Sequence, residues 1–272
     1  MKKLLIVALS LALMVPCANA KGKKTVHKPI KIEKQWKNYN PGTIHFYDKS
    51  PEAEGSAIYH TIVKDKDKYI GENALRVLQT LYYGPDDPNV KHIADIHYTV
   101  EDYNGISEKS GSGDQVAIRY STRWIEKCFK EGGKDKLDYE TRGVIYHELT
   151  HAYQLEPMGC GHYDGKSPCW SFIEGMADAV RVACGCFEQD FQSKDRPRND
   201  EQRKWESGYR ISGYFLYWLQ LNKDPEFIKK FNASAAELYP WSWDAACRHI
   251  LGDKPENYVS NLWKEYKTAI GE

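Results

Sequence analysis

The segment Val144–His151 constrains the fold more than any other, because its sequence V-I-Y-H-E-L-T-H sets three ionisable side chains among apolar ones. Residues four apart lie on one face of an α-helix, so His147 and His151 can bind a single ion. Glu148 is rotated by about a hundred degrees from His147, close enough to deprotonate a water molecule beside that ion. Buried ionisable groups need a partner. The segment therefore predicts a core helix, Glu140–Leu155, with a metal site on one face.

The predicted metal is one Zn²⁺ per chain, because imidazole suits zinc and a catalytic zinc site has three protein ligands and a position for water. The extended H-E-x-x-H-x-x-G-x-x-H pattern is excluded, since Pro157 stands where its third histidine would be. A second apolar helix, predicted over Phe172–Ala183, offers two acids four residues apart. We expect Glu174 to be the third ligand and Asp178 to orient a ligand histidine through its other ring nitrogen. The reversed assignment, with Asp178 on the metal, is the alternative.

Two other residues of this second helix bear on the site. Gly175, beside the candidate ligand, is expected to let the helix pack closely against the metal helix. Arg181 lies seven residues after Glu174 on the same helical face. It is expected either to form an ion pair with Asp178 or to bind a carboxylate of a substrate.

Residues 1–20 have the pattern of a signal peptide. Lys2 and Lys3 precede an apolar run, Leu4–Val15, and Ala18-Asn19-Ala20 forms an A-x-A cleavage site. The apolar run is too short to span a bilayer, and no later stretch is continuous enough. We expect a secreted or periplasmic protein with no transmembrane span. Lipidation at Cys17 is an alternative that the residues before it disfavour, because small residues usually precede a lipidated cysteine.

Charge and cysteine content narrow the class of protein further. The 38 Lys and Arg residues are balanced by 38 Asp and Glu residues, which argues against nucleic acid as a partner. An apolar fraction of 41% excludes wholesale disorder. Removal of the signal peptide leaves an even number of cysteines, six, which predicts up to three disulfides in an exported chain. Cys160 and Cys169 are expected to form a disulfide that closes a local loop. Cys184 and Cys186 are too close in sequence to pair comfortably with each other, so each is expected to form a disulfide with a more distant cysteine.

The rest of the chain predicts a Lys-rich arm and linker over residues 21–68, flexible at Lys21–Lys37, and one domain over residues 69–272. Helical spacing from Ala74 to Tyr82 ends at Gly84-Pro85, and alternating apolar residues predict two strands, Ile93–Val100 and Gln115–Tyr120, which we expect to form a hairpin. The remaining predicted helices are Arg123–Lys130, Glu140–Leu155, Phe172–Ala183, Glu201–Leu221, Pro225–Phe231, Ser242–Leu251 and Glu256–Ile270. The fold class is therefore α+β, a small N-terminal sheet followed by a mostly helical half.

H-E-L-T-H followed by E-G-M-A-D resembles the gluzincin-like branch of zinc peptidases. More closely, the chain resembles the basic secretory protein family of plants and bacteria, a family of metallopeptidases. The matching pieces are Val144–Gln154, Phe172–Arg181 and Trp205–Leu219, within a similarity that covers roughly Lys91 to Tyr266. The resemblance implies a zincin-like fold with a small mixed sheet, and a secreted, monomeric endopeptidase acting on proteins or peptides. The chain departs from the family in not being basic.

The resemblance also implies roles for residues outside the metal helices. Tyr209, in the matching G-Y pair, is expected to donate a hydrogen bond to the oxyanion of the tetrahedral intermediate. His162 and Tyr163 are the next candidates for that donor. By analogy with zincins, Val116–Tyr120 is expected to be the sheet edge along which a substrate adds as a strand.

Together these expectations describe a zinc endopeptidase with Glu148 as general base. Two other functions stay open on the sequence. One is an extracellular binding protein with a vestigial or structural zinc site, disfavoured because structural sites are usually Cys-rich four-ligand cages. The other is a metal hydrolase that acts on sugars or cell-wall amides.

Overall fold

The computed structural model describes residues 28–187 and 204–272, and within them it forms four strands and eight α-helices. The strands are β1 (Thr43–Asp48), β2 (Asp95–Glu101), β3 (Ser107–Ser110) and β4 (Gln115–Ser121). The helices are α1 (Glu54–Ile62), α2 (Lys66–Leu81), α3 (Thr122–Tyr153), α4 (Pro168–Ala183), α5 (Tyr209–Asn222), α6 (Phe227–Glu237), α7 (Trp243–Leu251) and α8 (Val259–Ala269). The α+β class, with a small N-terminal mixed sheet and a mostly helical C-terminal half, is confirmed.

The sheet has the strand order β1-β2-β4-β3, and only β3 runs antiparallel to its neighbour. The predicted strands Ile93–Val100 and Gln115–Tyr120 are present as β2 and β4, but they pair in parallel. The predicted hairpin is wrong, because β3 forms within the intervening loop and pairs with β4 itself. The expected edge Val116–Tyr120 is wrong for the same reason: β4 is internal, and β3 is the edge.

Helix α3 packs against the sheet and carries the segment Val144–His151. The predicted helix Arg123–Lys130 lies within α3, and the predicted helix Glu140–Leu155 lies within it up to Tyr153, where α3 ends. Helix α3 is interrupted at Gly133 by a φ of 68° that glycine adopts without strain. The hydroxyl groups of Tyr120 in β4 and Thr141 in α3 lie 3.2 Å apart in the core. This contact holds α3 against the sheet just before the segment Val144–His151.

Helices α4 and α5 pack against each other at very short range. A Cβ atom added to Gly175 would lie 2.5 Å from the Cβ of Ser212, and one added to Gly213 would lie 2.8 Å from the Cβ of Asp178. Gly175 therefore allows close packing as expected, but against α5 and not against the metal helix. The predicted start of α5 at Glu201 falls outside the described residues, and the helix is described from Tyr209.

The N-terminal segment differs most from its prediction. Arg76 on α2 donates its Nε proton to the carbonyl of Ile30 at 2.9 Å, and Trp36 is fully buried. The described part of the expected flexible arm, Lys21–Lys37, is thus packed on α2. Strand β1 and helix α1 also form within residues 21–68, where no regular element was predicted. A high lysine content masked the few apolar side chains whose burial stabilises this packing.

The six cysteines of the described residues are buried free thiols, so the structure contains none of the expected disulfides. Cys160 and Cys169 do lie side by side, with the Cys169 nitrogen 3.4 Å from the Cys160 carbonyl oxygen. The predicted signal peptide and Cys17 fall outside the described residues. In the ranges that are described, no helix combines the length and apolar character needed to cross a membrane.

Candidate active site

Helices α3 and α4 bring three candidate ligand atoms together. The Nε2 atoms of His147 and His151 are 3.1 Å apart, and they lie 3.3 and 3.7 Å from Oε2 of Glu174. These three residues form the one group within the described ranges whose ligand atoms are placed to hold a metal ion. Zinc–nitrogen bonds of about 2.0–2.1 Å in a tetrahedral site separate neighbouring ligand atoms by about 3.3 Å. The observed spacing therefore fits zinc.

The hydrogen bonding of this cluster is incomplete without a cation. Oε2 of Glu174 is buried and has no hydrogen-bond partner among the described residues. Burial lowers the pKa of His147, but the carboxylates of Asp178 and Glu174 beside it outweigh burial and raise that pKa to about 10. Burial and the nearby His147 lower the pKa of His151 to about 3. The cluster thus attracts one positive charge and keeps His151 neutral, as a metal ligand must be.

Each ligand histidine has a partner on its other ring nitrogen. Asp178 Oδ1 lies 2.9 Å from Nδ1 of His147, and hydrogen bonding from His147 outweighs burial to lower the pKa of Asp178. The ionised carboxylate accepts the Nδ1 proton, which leaves Nε2 free for a metal. The structure thus places the Asp178 carboxylate at Nδ1 of His147 and the Glu174 carboxylate at Nε2, the nitrogen on the side of the candidate ligands.

Gln154 has the corresponding place beside His151, and sequence reasoning did not identify it. Its Nε2 lies 3.1 Å from Nδ1 of His151, while its Oε1 is buried with no hydrogen-bond partner in the part of the chain that the structure describes. Half a turn of the side-chain amide brings Oε1 to the Nδ1 proton and satisfies both groups. Gln154 lies three residues after His151 in sequence, but only the fold shows that its amide contacts that histidine.

Glu148, the predicted base, lies in the same cleft and is held by a residue of the edge strand. Ser107 on β3 donates its hydroxyl proton to Oε1 of Glu148 at 2.5 Å. Burial raises the pKa of Glu148, and the charge of His147 and the Ser107 hydrogen bond offset part of this rise. Ser107 was predicted to lie in a loop, and no local signal in the sequence connects it to Glu148.

Two tyrosines face the cluster. Tyr209 is half exposed, and its ring lies parallel to that of His147 with centroids 6.1 Å apart. It has a φ of 43°, an unusual value for a residue with a side chain, and such strain is common at functional sites. Tyr163 is more exposed and donates its hydroxyl proton to Glu174 Oε1. Of the three candidate oxyanion donors, Tyr209 and Tyr163 line the cleft. His162 is not among the described residues that line it.

The cleft that contains these groups has a volume of about 930 Å³ and two walls. The strand wall consists of residues 106–109, in and just before β3. The helix wall consists of lining residues from α3, α4 and α5, among them Val144, His147, Glu174, Arg181 and Tyr209. An extended peptide can add to the sheet along such an edge strand, and it would then present a carbonyl group to the candidate ligands His147, His151 and Glu174.

The family of peptidases of plants and bacteria matches residues 42–266, which include both walls of the cleft. The chain belongs to this family. The resemblance to basic secretory proteins is thereby confirmed, and membership supports an enzyme that acts on protein or peptide substrates. Comparisons with curated proteins and with solved structures gave no match.

Proposed function

We propose that this member of the family is an exported zinc endopeptidase that hydrolyses peptide bonds with Glu148 as general base. The observation that carries the proposal is the buried Oε2 of Glu174. Among the described residues it has no hydrogen-bond partner, and it faces the ring nitrogens of His147 and His151 at 3.3 and 3.7 Å. Membership of a peptidase family favours peptide substrates over sugars or cell-wall amides.

The residues have separate roles in this mechanism. A zinc ion held by His147, His151 and Glu174 would act as a Lewis acid on the scissile carbonyl and lower the pKa of the attacking water. Glu148 accepts the proton of that water and later delivers it to the leaving amine. Burial raises the pKa of Glu148, which brings the carboxyl group closer to the range in which it can both accept and donate a proton.

The proposed oxyanion donor is Tyr209, because its ring lies beside His147 at the open side of the cleft. Tyr163 is the rival, but its hydroxyl is already hydrogen-bonded to the candidate ligand Glu174. The Tyr163 hydroxyl therefore suits orientation of a metal ligand, and the Tyr209 hydroxyl suits stabilisation of developing charge.

The test combines elemental analysis for zinc with chelator-sensitive cleavage of casein. We expect one zinc ion per wild-type chain and cleavage that stops on chelation. Glu148→Gln should retain zinc and lose about 10²- to 10⁴-fold in kcat, because the base is removed and the ligands are kept. His151→Ala should lose both zinc and activity. Glu256→Gln, an exposed glutamate far along the chain, is the matched control and should behave as wild type.

Each alternative has its own outcome. Zinc without cleavage of any peptide would favour a binding protein, and activity on cell-wall amides with casein spared would favour the hydrolase. Absence of zinc after gentle purification and zinc addition would refute the metal site. Full activity of Glu148→Gln would refute the mechanism alone.

A further inference from the structure

Arg181 is a largely buried cation of the helix wall whose hydrogen-bonding capacity is unused by the described residues. Its side chain is 16% exposed, and its Nε atom is buried with no hydrogen-bond partner in the described ranges. Its two ion-pair contacts, Nη1 to Asp178 Oδ1 at 3.6 Å and Nη2 to Glu140 Oε2 at 3.7 Å, are both longer than a hydrogen bond. A guanidinium group has five N–H donors, and leaving them unused in a buried place is costly.

The two nearby carboxylates are bonded to other groups. Asp178 Oδ1 lies 2.9 Å from Nδ1 of His147, and Glu140 Oε1 accepts a proton from Lys136 Nζ at 2.9 Å. The pairing of Glu140 with Lys136 offsets much of its charge. The guanidinium group of Arg181 thus retains its positive charge and N–H donors that no described residue uses, and it lines the same cleft as the candidate ligands.

The position of the guanidinium group is fixed by packing. Its Cζ atom lies 3.7 Å from the ring centroid of Phe187, which covers it as a stacking surface. On the α3 side it lies over Gly143, where an added Cβ would come within 2.8 Å of Nε and 2.9 Å of Nη2. Arg210, an exposed cleft residue, has its Cζ 4.7 Å from the same ring. The Arg181 donors are therefore held in place before any ligand binds.

We infer that Arg181, stacked on Phe187 and with Arg210 at the cleft mouth, forms a subsite that binds a carboxylate group of the substrate beside the scissile bond. The subsite lies close to the candidate ligands because Asp178 contacts both Arg181 and His147. A planar guanidinium group matches a carboxylate with two parallel hydrogen bonds. This inference rests on the proposed function and gives it a substrate class: peptides with an acidic group within a residue or two of the cleaved bond.

The carboxylate can come from an Asp or Glu side chain or from a free C-terminus, and one peptide series distinguishes the sources. The zinc-loaded full-length chain is given peptides that differ only by Glu or Gln at each position flanking the cleaved bond, and each peptide is made with a free or an amidated C-terminus. We expect kcat/KM to be at least about tenfold higher for the acidic member at one position or at the chain end. Equal values throughout the series would overturn the inference.

Two variants test whether Arg181 is the recognition element. Arg181→Met keeps much of the apolar stem and removes the donors, so the ratio of kcat/KM for Glu peptides to that for Gln peptides should fall to about one, whatever the level of activity on Gln peptides. Gly143→Ala keeps the charge but displaces the guanidinium end, and it should lower the preference for acidic peptides in the same way. Equal losses on Glu and Gln peptides in both variants would assign Arg181 a structural role and overturn the inference.

Binding separates a failure of the subsite from a failure of the proposed function. Dissociation constants of fluorescently labelled Glu and Gln peptides are measured on Glu148→Gln, with and without Arg181→Met. Tighter binding of the acidic peptide that depends on Arg181 supports the subsite even if the wild-type chain cleaves nothing. No preference in binding would overturn the subsite, whatever the cleavage assay shows.

Discussion

The two walls of the cleft are held in place by different kinds of contact. On the helix wall, His147 and His151 are one turn apart on α3, and Glu174 and Asp178 are one turn apart on α4, so helical geometry fixes each pair. On the strand wall, Ser107 reaches Glu148 across 41 positions of sequence, and only the pairing of β3 with β4 places it there. The helix wall therefore supplies the candidate ligands, and the strand wall contacts the proposed base, Glu148, through one hydrogen bond.

The largest effect predicted beyond loss of the base or a ligand is for Tyr209, at the start of α5 on the helix wall. Tyr209→Phe should lower kcat by about 10²- to 10³-fold with little change in KM and zinc content, because removal of an oxyanion donor raises the energy of the transition state alone. Steady-state kinetics on one peptide substrate measure this. Tyr163→Phe is the comparison: it should lower the affinity for zinc and leave kcat of the zinc-loaded chain nearly unchanged. If Tyr163→Phe lowered kcat and Tyr209→Phe lowered zinc affinity, Tyr163 would be the oxyanion donor and Tyr209 the residue that orients a ligand.

A smaller effect is predicted for Asp178, behind His147. Asp178→Asn should weaken zinc binding by about 10- to 100-fold, because Nδ1 of His147 loses the charged acceptor that fixes its tautomer. Titration with a competing chelator measures the affinity. The matched control is Asp95→Asn, in a pair with His45 at 2.7 Å on the other side of the sheet, where the two side chains are about a third exposed. A similar loss in both variants would show that a general charge effect is being measured.

The smallest effect is predicted for Ser107 on the strand wall. Ser107→Ala should lower kcat about tenfold with zinc content unchanged, since one hydrogen bond to a charged group is lost. Glu148 acts as a base only when ionised, and its pKa is raised above the ordinary 4.5, so kcat/KM should fall as the pH drops through that raised value. The Ser107 hydrogen bond lowers this pKa, so its removal should move the acidic limb of the pH profile to higher pH.

Two further variants on β3 make the Ser107 test specific. Ser107→Thr keeps the hydroxyl and should restore most of the activity, whereas Ser110→Ala, an exposed serine on the same strand, should leave it unchanged. An acidic limb that stays in place in Ser107→Ala would break the proposed link between the strand wall and the base. A loss of zinc in that variant would mean that the two walls are not separate in function.

Sequence-based prediction succeeded where the contacts are local. The helical spacing of apolar residues identified α3 and α4, and a separation of four residues placed each pair of polar side chains on one face. Three aromatic residues of α5, Tyr214, Phe215 and Trp218, are likewise buried along one stretch of helix. Prediction failed where pairing is non-local. Parallel β2 and β4 were taken for a hairpin, because strand periodicity carries no information about direction or order.

The same division applies to the candidate site. The motif residues and Glu174 were predicted, and the structure brings their ligand atoms together. Ser107 and Gln154 were missed, since a single hydroxyl or amide carries no pattern until the chain has folded around it. Arg181 was identified with two possible partners. Its distances of 3.6 and 3.7 Å to the nearby acids are the structural observation behind the proposed carboxylate subsite.

The sequence by itself determined the two helices that carry the candidate ligands, the position of Glu148 beside those residues and the α+β class, because these depend on periodicity within single elements. The tertiary structure alone decided the strand order, the edge strand at the cleft and the partner of each ring nitrogen. It also decided that the N–H donors of Arg181 have no hydrogen-bond partner among the described residues. Each of these depends on side chains far apart in sequence, whose approach follows from burial and strand pairing across the whole domain.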